Sequence, residues 1–429
     1  MKMHFLTSDL PHSIAELPEH VGETVTVGGW VHTHRRLGGI EFLVVRDGYA
    51  VVQVLLQNGP PRFTNETVLL VTGKVIAETR APGGVELHDP VIQVLSHVDE
   101  PLPLSLIRPV DQAALATRLD YAPLALRHPE TRRWFRVTDH LLATFRDAIR
   151  RREFVEVHTP KIIRHASEGG ANVFQLDYFG RPAYLAQSPQ FYKQIMVGVF
   201  GRVFEVGPAF RAEPHDTVRH LNEYTSLDVE LGFIQDHRTV MALCQQVLAE
   251  MLDRPPQGWT GPWATMPSNP PVISFRQALD LLTAATGEDL RNETDLAPSH
   301  ERWLGEWARR THSSDFLFVE GYPAVKRPFY THPDPEWPAY TRSFDLLFRG
   351  QELVTGGQRL HRYHDYLQAL RVRGMDPDDF IAYLMAFRFG MPPHGGFAIG
   401  LERLVARLAG FSNVRQATLF PRDLSRLAP

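Results

Sequence analysis

The chain has 429 residues, 43% of them hydrophobic and 22% charged, which is typical of a globular protein with two or more domains. Its net charge of -4 argues against a protein that coats nucleic acid indiscriminately, although docking on local patches stays open. No long apolar run or signal peptide is evident, so we expect a cytoplasmic protein without a membrane span. Cys244 is the only cysteine, which excludes an intrachain disulfide and a cysteine-based zinc cluster.

Residues 1–100 have the pattern of an all-β domain. Alternating apolar residues precede a glycine-rich turn, and an Asp47–Gly48 turn joins two further β-rich runs. About five short strands in this span predict a small closed barrel of the OB type. The Pro-punctuated residues 101–125 are predicted to be a hinge, and residues 126–429 a second, larger domain.

The larger domain begins with helical periodicity. Apolar residues three or four positions apart predict one long helix over 131–152. A short strand in FVEVHTPKI follows and ends at Pro160, after which strands and helices alternate without the regular rhythm of a parallel βαβ sheet. The pattern predicts an α+β fold class, with a surface loop over the Pro-rich stretch 254–271.

Charged residues precede an alternating apolar run in FRAEPHDTVRHLNEYTSLDVELGF, residues 210–233. Arg211 follows the end of a predicted strand, and Glu213, Arg219 and His220 occupy the loop or its return. Arginine holds phosphate through two parallel hydrogen bonds, and a nearby acid can accept from an exocyclic amine or bind a cation. These charges indicate a polyphosphate site. A solvated hairpin whose charges pair with each other is the alternative.

The stretch GGFAIGLERLVARLAG, residues 395–410, is a predicted strand that turns into a helix ending at Gly410. Glycines at such a turn let a flat ring lie on the backbone, and helix N-terminal amides favour anions. Arg403 lies in the first helical turn, against the helix dipole. A bound phosphate would explain this arginine, and so would a salt bridge to a neighbouring strand.

A possible metal site is present in SFDLLFRGQELVTGGQRLHRY, residues 343–363. Asp345 and Glu352 flank a turn, and Glu352 with Thr355 offers the carboxylate and hydroxyl oxygens that magnesium prefers. Arg359 is a candidate partner for a carboxylate. The alternative is an ordinary strand with alternating polar residues.

Two shorter stretches add candidate residues. SEGGANVF, residues 167–174, is a Gly-rich loop with one acid, Glu168. QSPQFYKQ, residues 187–194, brings Gln190 close to Lys193, one of only five lysines in the chain. Such a rare lysine suggests an anionic ligand, while an exposed lysine at a helix start is the alternative.

Together these stretches resemble a class II aminoacyl-tRNA synthetase. FVEVHTPKI looks like motif 1, FRAEPHDTVRHLNEYTSLDVEL like motif 2 and GGFAIGLERL like motif 3, in the order typical of the class. The amino-terminal barrel, SEGGANVF, QSPQFYKQ and the final FPRDLSRLAP are similar to aspartyl-tRNA synthetases of the archaeal and eukaryal type. The resemblance implies an OB-type barrel, a class II catalytic domain with a mostly antiparallel sheet flanked by helices, and a homodimer formed through motif 1.

The resemblance also implies the reaction and its residues. Aspartate attacks the α-phosphorus of ATP, and the terminal ribose of tRNA then attacks the activated carbonyl. Arg211 is expected at the α-phosphate, Arg403 at the γ-phosphate, and Glu352 with Thr355 at Mg²⁺. The residues expected to bind ATP are Arg211, Ala212, Glu213, Arg219, His220, Leu221, Glu352, Gly400, Leu401, Glu402 and Arg403.

The aspartate pocket is expected to hold a second set of residues. By resemblance, Lys193 and Arg359 read the aspartate side chain, Gln190 lines the pocket and Glu168 closes over the amino group, while Arg211 and Thr355 also contact the substrate. The nearest rival is an asparaginyl-tRNA synthetase, whose neutral substrate needs no cationic partners. One departure is Thr355, because the family pattern usually has serine at this position. Threonine keeps the hydroxyl group.

Two other kinds of protein share parts of this pattern. A catalytically silent relative that binds tRNA would have lost Arg211, Arg403 or Glu352, and all three are present. An ammonia-dependent asparagine synthetase shares the catalytic fold but lacks an anticodon barrel, so residues 1–100 argue against it.

The barrel is expected to read the anticodon by stacking bases on aromatic rings. Phe42 is the stacking candidate, or else a core residue, with Gln53 and Arg35 as hydrogen-bonding partners. By resemblance, enzymes that charge only tRNA(Asp) tend to have Trp at the position of His32. They also tend to have Lys in the turn region where this chain has Pro82. These residues therefore predict a relaxed enzyme that also places aspartate on tRNA(Asn), with an amidotransferase completing Asn-tRNA.

Overall fold

The structure, a computed structural model, describes residues 11–37, 40–57, 63–165, 172–214 and 217–429. The chain divides into two compact units, Met1–Pro129 and Glu130–Pro429. The predicted hinge, 101–125, falls in the first unit, where it contains the short helices α1 (Leu115–Asp120) and α2 (Ala122–Ala125). Among the described residues, no helix combines the length and the apolar character that crossing a membrane requires.

The first unit contains a closed barrel of five strands, as the sequence predicts. The strands are β1 (Thr24–Leu37), β2 (Ile40–Arg46), β3 (Val51–Gln57), β4 (Val68–Ala77) and β5 (Val85–Ser96), which hydrogen-bond in the order β1-β2-β3-β5-β4 around the barrel. Alternate valines and leucines point inward and are fully buried, while the residues between them face outward. A 3-10 helix, Ile14–His20, buries Ile14 and Leu17 in the same core.

The register of β1 against β2 shifts at His32. Val31 pairs with Val45 and Thr33 pairs with Val44, so His32 is the extra residue between two paired ones. Such a bulge bends the strand locally and changes the direction of the side chains that follow it.

The second unit is organised around an eight-stranded sheet. In spatial order its strands are β12 (Val272–Ser274), β13 (Phe316–Glu320), β14 (Ser343–Phe348), β15 (Gln351–Gln358), β16 (His394–Gly400), β11 (Glu223–Gly232), β10 (Arg202–Phe210) and β6 (Val155–Glu156). Only the two edge pairs, β12 with β13 and β6 with β10, are parallel. The predicted mostly antiparallel sheet is therefore confirmed. A smaller sheet contains β7 (Ile162–Ile163), β9 (Arg181–Leu185) and β8 (Gln175–Tyr178), in that order.

The second unit also contains helices, most of which pack against the large sheet. They are α3 (Pro129–Arg150), α4 (Gln190–Phe200), α5 (His237–Met251), α6 (Phe275–Thr286), α7 (Pro298–His312), α8 (Tyr363–Val372), α9 (Ile381–Arg388) and α10 (Leu401–Ala409). The predicted helix over 131–152 corresponds to α3, which buries Val137, Leu141 and Phe145 completely. Helix α10 ends, as predicted, at Gly410 with φ of 69°, a left-handed conformation that glycine adopts without strain.

The Pro-rich stretch 254–271 contains no helix or strand, but it is not simply a surface loop. Ala264 and Met266 are 3% and 5% exposed and belong to the main core. Trp259 packs edge-on against Trp134 of α3, with ring centroids 4.7 Å apart. The prediction of a surface loop was wrong for these residues. A proline-rich segment without regular structure has no hydrophobic periodicity from which the burial of its apolar side chains could be inferred.

The strand order brings distant segments to one end of the sheet. Phe210, the last residue of β10, pairs with Glu223, the first residue of β11. Ser226 of β11 pairs with Gly400 at the end of β16, and Thr355 of β15 pairs with Ala398. The loop after β10, the start of α10 and the side chains of β15 therefore meet at this end.

Candidate active site

Two cavities with a common wall lie at this end of the sheet. Cavity 1 has a volume of about 430 Å³ and cavity 2 a volume of about 530 Å³, both in the range of small-molecule sites. Six residues line both cavities: Arg211, Tyr224, Ser226, Glu352, Thr355 and Ala398. A ligand that filled both cavities would contact these six residues at the point where the cavities meet.

Arg211 and Arg403 converge on cavity 2, although 192 positions separate them in the sequence. Arg211 is fixed at the base of its hairpin, because its N–H donates to Asn222 O at 2.8 Å and Asn222 Nδ2 donates to Arg211 O at 2.6 Å. Arg403 Nη1 lies 3.2 Å from Glu352 O and 3.4 Å from Glu352 Oε1. Arg403 thus both lines the cavity and makes a salt bridge to a neighbouring strand, so the two explanations of this arginine are compatible.

Glu352 carries a charge that the surrounding arginines favour. Burial by itself raises the pKa of this carboxyl, but the guanidiniums of Arg403 and Arg327 outweigh it, so the pKa is lowered. The hydroxyl of Thr355 donates to Glu352 Oε1 at 3.1 Å, which brings the two predicted magnesium ligands together. Burial raises the pKa of the neighbouring Asp345 to about 6, although Arg327 Nη2 donates to its Oδ2 at 2.8 Å.

The hairpin loop contributes a second wall of cavity 2, lined by Glu213, Arg219, His220 and Leu221. Part of the loop pairs with itself, since His220 Nε2 lies 3.6 Å from Glu213 Oε2. The polyphosphate reading and the self-paired hairpin are therefore compatible. Ala212 does not line either cavity, and its N–H donates to Asn172 O at 2.8 Å.

The strand-to-helix turn places its residues differently from one another. Gly400, Glu402 and Arg403 line cavity 2. Leu401 is 2% exposed and packs in the main core, so its side chain does not reach the cavity. Glu402 accepts the N–H of Thr225 with both oxygens at 3.0 Å, and its burial raises its pKa to about 7.

Cavity 1 contains the two predicted aspartate-reading cations, and both are buried. Lys193 is 2% exposed and Arg359 is 6% exposed, which rules out an exposed lysine at a helix start. Lys193 Nζ lies 2.9 Å from Asp228 Oδ1 and 3.3 Å from Glu230 Oε2. Arg359 Nε donates to Glu230 Oε1 at 3.0 Å. Each predicted cation therefore already has a carboxylate partner on β11.

Sequence reasoning missed the residues that support these cations. The strand pattern and motif 2 give no role to Asp228, Glu230 or Tyr224. Burial raises the pKa of Glu230, but Arg359 and Lys193 outweigh it, so the pKa is lowered. A Cβ at Gly396 would lie 2.2 Å from Glu230 Oε2, so only glycine leaves room for this carboxylate. The GG of motif 3 was the available signal for such a close approach.

A segment near residue 415 forms hydrogen bonds with the hairpin loop. The N–H of Val414 donates to Val218 O at 2.9 Å, and Arg415 Nη1 donates to Thr217 O at 3.1 Å. Arg415 also forms a hydrogen bond with Asp423. Nothing in the motif pattern marked these contacts. Glu168, the predicted acid over the substrate amino group, lies outside the described residues.

The barrel has a cavity of about 1050 Å³ on its outer surface, lined by the predicted Arg35, Phe42 and Gln53. Phe42 is half-buried and lies outside the barrel core, so it is available for stacking and is not a core residue. Gln53 Nε2 donates to Glu86 Oε2 at 3.0 Å, and Glu86 lines the same cavity. This glutamate was also missed.

His32 and Pro82 do not line the barrel cavity. His32 is half-buried at the bulge of β1, three residues before Arg35. Pro82 is exposed in the turn between β4 and β5, whose residues Glu78 and Arg80 do line the cavity. A role of either residue in reading the anticodon stays a prediction.

Comparison with protein families decides the class. Residues 114–424 match the family described as tRNA synthetases class II (D, K and N). The chain belongs to this family. Residues 25–95 of the synthetase also match the OB-fold nucleic acid binding domain, which confirms the predicted barrel.

The relatives of this synthetase have closely similar lengths. It is 45% identical to the aspartate–tRNA(Asp/Asn) ligase of Thermus thermophilus, over 97% of this chain and 99% of that protein. It is 44% identical to the ligase of the same name from Deinococcus radiodurans, over 99% and 100%. The asparaginyl-tRNA synthetase of Pyrococcus horikoshii, complexed with asparaginyl-adenylate, has a TM-score of 0.89 at 32% identity, covering 98% of this chain and 99% of that one.

The buried Glu402 of the synthetase predicts a pH-dependent stability. In the folded protein this carboxyl has a pKa of about 7, above its ordinary pKa of 4.5. Its protonation therefore stabilises the fold fully below pH 4.5, and this contribution is lost as the pH rises to about 7. Glu402→Gln keeps an acceptor for Thr225 N–H and removes the ionisation. Relative to wild type, the variant should therefore gain about 3 kcal/mol of unfolding free energy between pH 4.5 and pH 8.

Chemical denaturation of both proteins across this pH range measures the difference. Glu306→Gln, on the exposed face of α7, is the matched control and should follow the wild-type pH profile. Parallel profiles for Glu402→Gln and wild type would contradict the raised pKa.

Proposed function

We propose that the chain activates L-aspartate with ATP to aspartyl-adenylate and transfers the aspartyl group to tRNA(Asp) and to tRNA(Asn). The observation that carries this proposal is the common wall of the two cavities. Cavity 1 contains Lys193 and Arg359, suited to an acidic amino acid, and cavity 2 contains Arg219 and Arg403, suited to a triphosphate. The ligases of Thermus thermophilus and Deinococcus radiodurans, 45% and 44% identical to this chain, act by their names on tRNA(Asp/Asn).

The first step needs positioning and charge stabilisation more than a protein nucleophile. An oxygen of the aspartate α-carboxylate forms a bond to the α-phosphorus of ATP, and the bond to the bridging oxygen of pyrophosphate breaks. Arg211 lines both cavities, so its guanidinium can contact the carboxylate and the α-phosphate at the same time. Tyr224, in the same wall, offers an aromatic surface beside the reacting groups.

The second step transfers the activated acyl group. A ribose hydroxyl of the terminal nucleotide attacks the carbonyl carbon and loses its proton to water, the bond to the adenylate oxygen breaks, and AMP leaves with the electron pair. Arg211 then stabilises the negative charge on the phosphate of AMP as it stabilised the α-phosphate before. Arg403 and Arg219, with His220, are placed to bind the distal phosphates of ATP and pyrophosphate.

Glu352 and Thr355 form a donor set that fits Mg²⁺. The lowered pKa keeps the Glu352 carboxylate ionised, and the Thr355 hydroxyl lies 3.1 Å from it, so both ligands are hard oxygens. Among the described residues there is no cluster of three or more histidine, cysteine or acidic side chains that could hold an ion by themselves. This agrees with an ion that takes its other ligands from phosphates and water. Bound there, Mg²⁺ would neutralise charge on the phosphates.

The charges of cavity 1 favour aspartate over asparagine. The fold does not separate the two, because an asparaginyl-tRNA synthetase shares it at a TM-score of 0.89. Gln190 Nε2 is buried without a hydrogen-bond partner among the described residues and lines the cavity, so it can donate to a substrate oxygen. Lys193 and Arg359 supply the cationic partners that a buried carboxylate needs. Glu168 remains the proposed partner of the substrate amino group.

Two partners complete the proposal. A homodimer would use motif 1, where β6 is an edge strand with Val155 39% exposed and therefore presents backbone groups to a second copy. Aspartate on tRNA(Asn) would need an amidotransferase that converts the attached aspartyl group to asparaginyl.

Replacing Arg211 by alanine should abolish aspartate-dependent exchange of pyrophosphate with ATP, since the guanidinium at the common wall is lost. We expect a decrease of at least about 100-fold, typical of removing a group that stabilises transition-state charge. Arg276→Ala, at an exposed position of α6, is the control and should exchange normally. Normal exchange by the Arg211 variant with a native thermal transition would refute the assignment.

Purified tRNA with either anticodon tests the relaxed specificity. The wild type should aspartylate both tRNA(Asp) and tRNA(Asn). The double variant His32→Trp, Pro82→Lys should lose about tenfold in kcat/KM for tRNA(Asn) relative to tRNA(Asp), a difference of about 1.4 kcal/mol. Charging of tRNA(Asp) alone by the wild type would refute the relaxed specificity and leave the enzyme class unchanged.

Phe42 should act on tRNA and not on adenylate formation. Phe42→Ala removes a stacking surface and should raise the KM for tRNA by about tenfold, the value of one base-aromatic stack. Pyrophosphate exchange needs no tRNA and should stay unchanged in the same preparation. Equal KM values for tRNA in the variant and the wild type would show that the ring does not stack on a base.

A further inference from the structure

Glu301 connects two walls of cavity 2 from a helix that carries none of the three motifs. It lies in the first turn of α7, between motifs 2 and 3, and is 7% exposed. Its Oε2 accepts a hydrogen bond from Arg219 Nη2 on the hairpin loop. The same oxygen accepts the backbone N–H of Glu352 at 3.2 Å.

The second contact occurs where β15 is irregular. Leu346 pairs with Val354, whereas Leu347 pairs with Glu352, so Leu353 is an extra residue in the strand. A bulge changes the direction of neighbouring side chains and disturbs the ladder of backbone hydrogen bonds. Glu301 therefore satisfies an N–H at the very residue whose carboxylate lines both cavities.

A buried carboxylate at position 301 is unfavourable unless it has a function beyond packing. Burying the Glu301 carboxylate costs free energy, and the salt bridge to Arg219 offsets part of that cost. A hydrophobic side chain would fill the position without this cost. The guanidinium of Arg219 uses Nη2 for the contact, and it still lines cavity 2, where its other N–H groups can reach a phosphate.

We propose that Glu301 is a positioning residue for ATP, which fixes Arg219 for the distal phosphates and the backbone of Glu352 for the metal. The inference rests on the proposed function, because it names a further residue of the same nucleotide site. Glu301 acts through its two partners and does not itself line cavity 2. Losing it should therefore weaken binding of Mg²⁺-ATP and leave the aspartate pocket unaffected.

The test compares Glu301→Ala, Glu301→Gln, Arg219→Ala and the double variant Arg219→Ala, Glu301→Ala with wild type. Steady-state pyrophosphate exchange gives kcat and the KM values for ATP and aspartate, and calorimetry gives the Kd of Mg²⁺-ATP directly. Glu306→Ala, on the exposed face of α7, is the matched control and should behave as wild type.

Glu301→Ala should raise both the KM and the Kd for ATP by about tenfold, the loss of one charge-assisted contact, with the KM for aspartate unchanged within about twofold. Glu301→Gln keeps an acceptor for both partners without the charge, so its effect should be about threefold. In the double variant the two effects should combine to less than their product, because each single change already removes the Glu301–Arg219 contact.

Other outcomes separate the explanations. A decrease in kcat or in the active fraction with an unchanged Kd for ATP would indicate a purely structural role and overturn the proposal, as would effects that multiply in the double variant. If Glu301→Ala does not fold, Glu301→Gln alone decides, and an unchanged Kd for ATP overturns the proposal. If wild type shows no aspartate-dependent exchange, the proposed function fails, while the Kd values for ATP still decide the role of Glu301.

Discussion

The proposed active site depends on the charge of Glu352 and the arginines gathered around it. Arg403, Arg327 and Arg211 each lower the pKa of this carboxyl, and the first two come from a helix and a loop that are distant from it in sequence. Without the carboxylate these guanidiniums would repel one another at short range in a partly desolvated cavity. With it their charge is partly balanced before any nucleotide binds, so part of the cost of gathering them is met by folding and not by binding.

The amino-acid side of the site follows the same principle with different residues. Lys193 and Arg359 are matched by Asp228 and Glu230, so the buried cluster is close to neutral in the absence of substrate. An isolated pair of buried cations would be strongly disfavoured. The carboxylates on β11 therefore orient the two cations, and in the proposed function a substrate with a carboxylate side chain would enter a pocket whose donors are already directed.

Much of the fold could be predicted because local patterns determine it. The alternation in the barrel strands, the helical spacing in α3 and the glycine after α10 report local structure directly. The prediction for the Pro-rich stretch 254–271 failed because the burial of Met266 comes from contacts with residues far away in sequence. Leu401 was expected at the nucleotide because of its place in motif 3, yet the first turn of α10 directs its side chain into the core. A helix turns by about 100° per residue, so neighbours in a motif face different surroundings.

The sequence by itself determined the order of the motifs, the barrel before the catalytic unit and the kinds of charge available for ATP and aspartate. Only the tertiary structure decided which charge meets which. Lys193 pairs with residues 35 and 37 positions away, and Arg219 with Glu301, 82 positions away. Such partners are set by strand order and helix packing, because electrostatic contacts act over a few ångströms of space and carry no periodicity that a sequence could display.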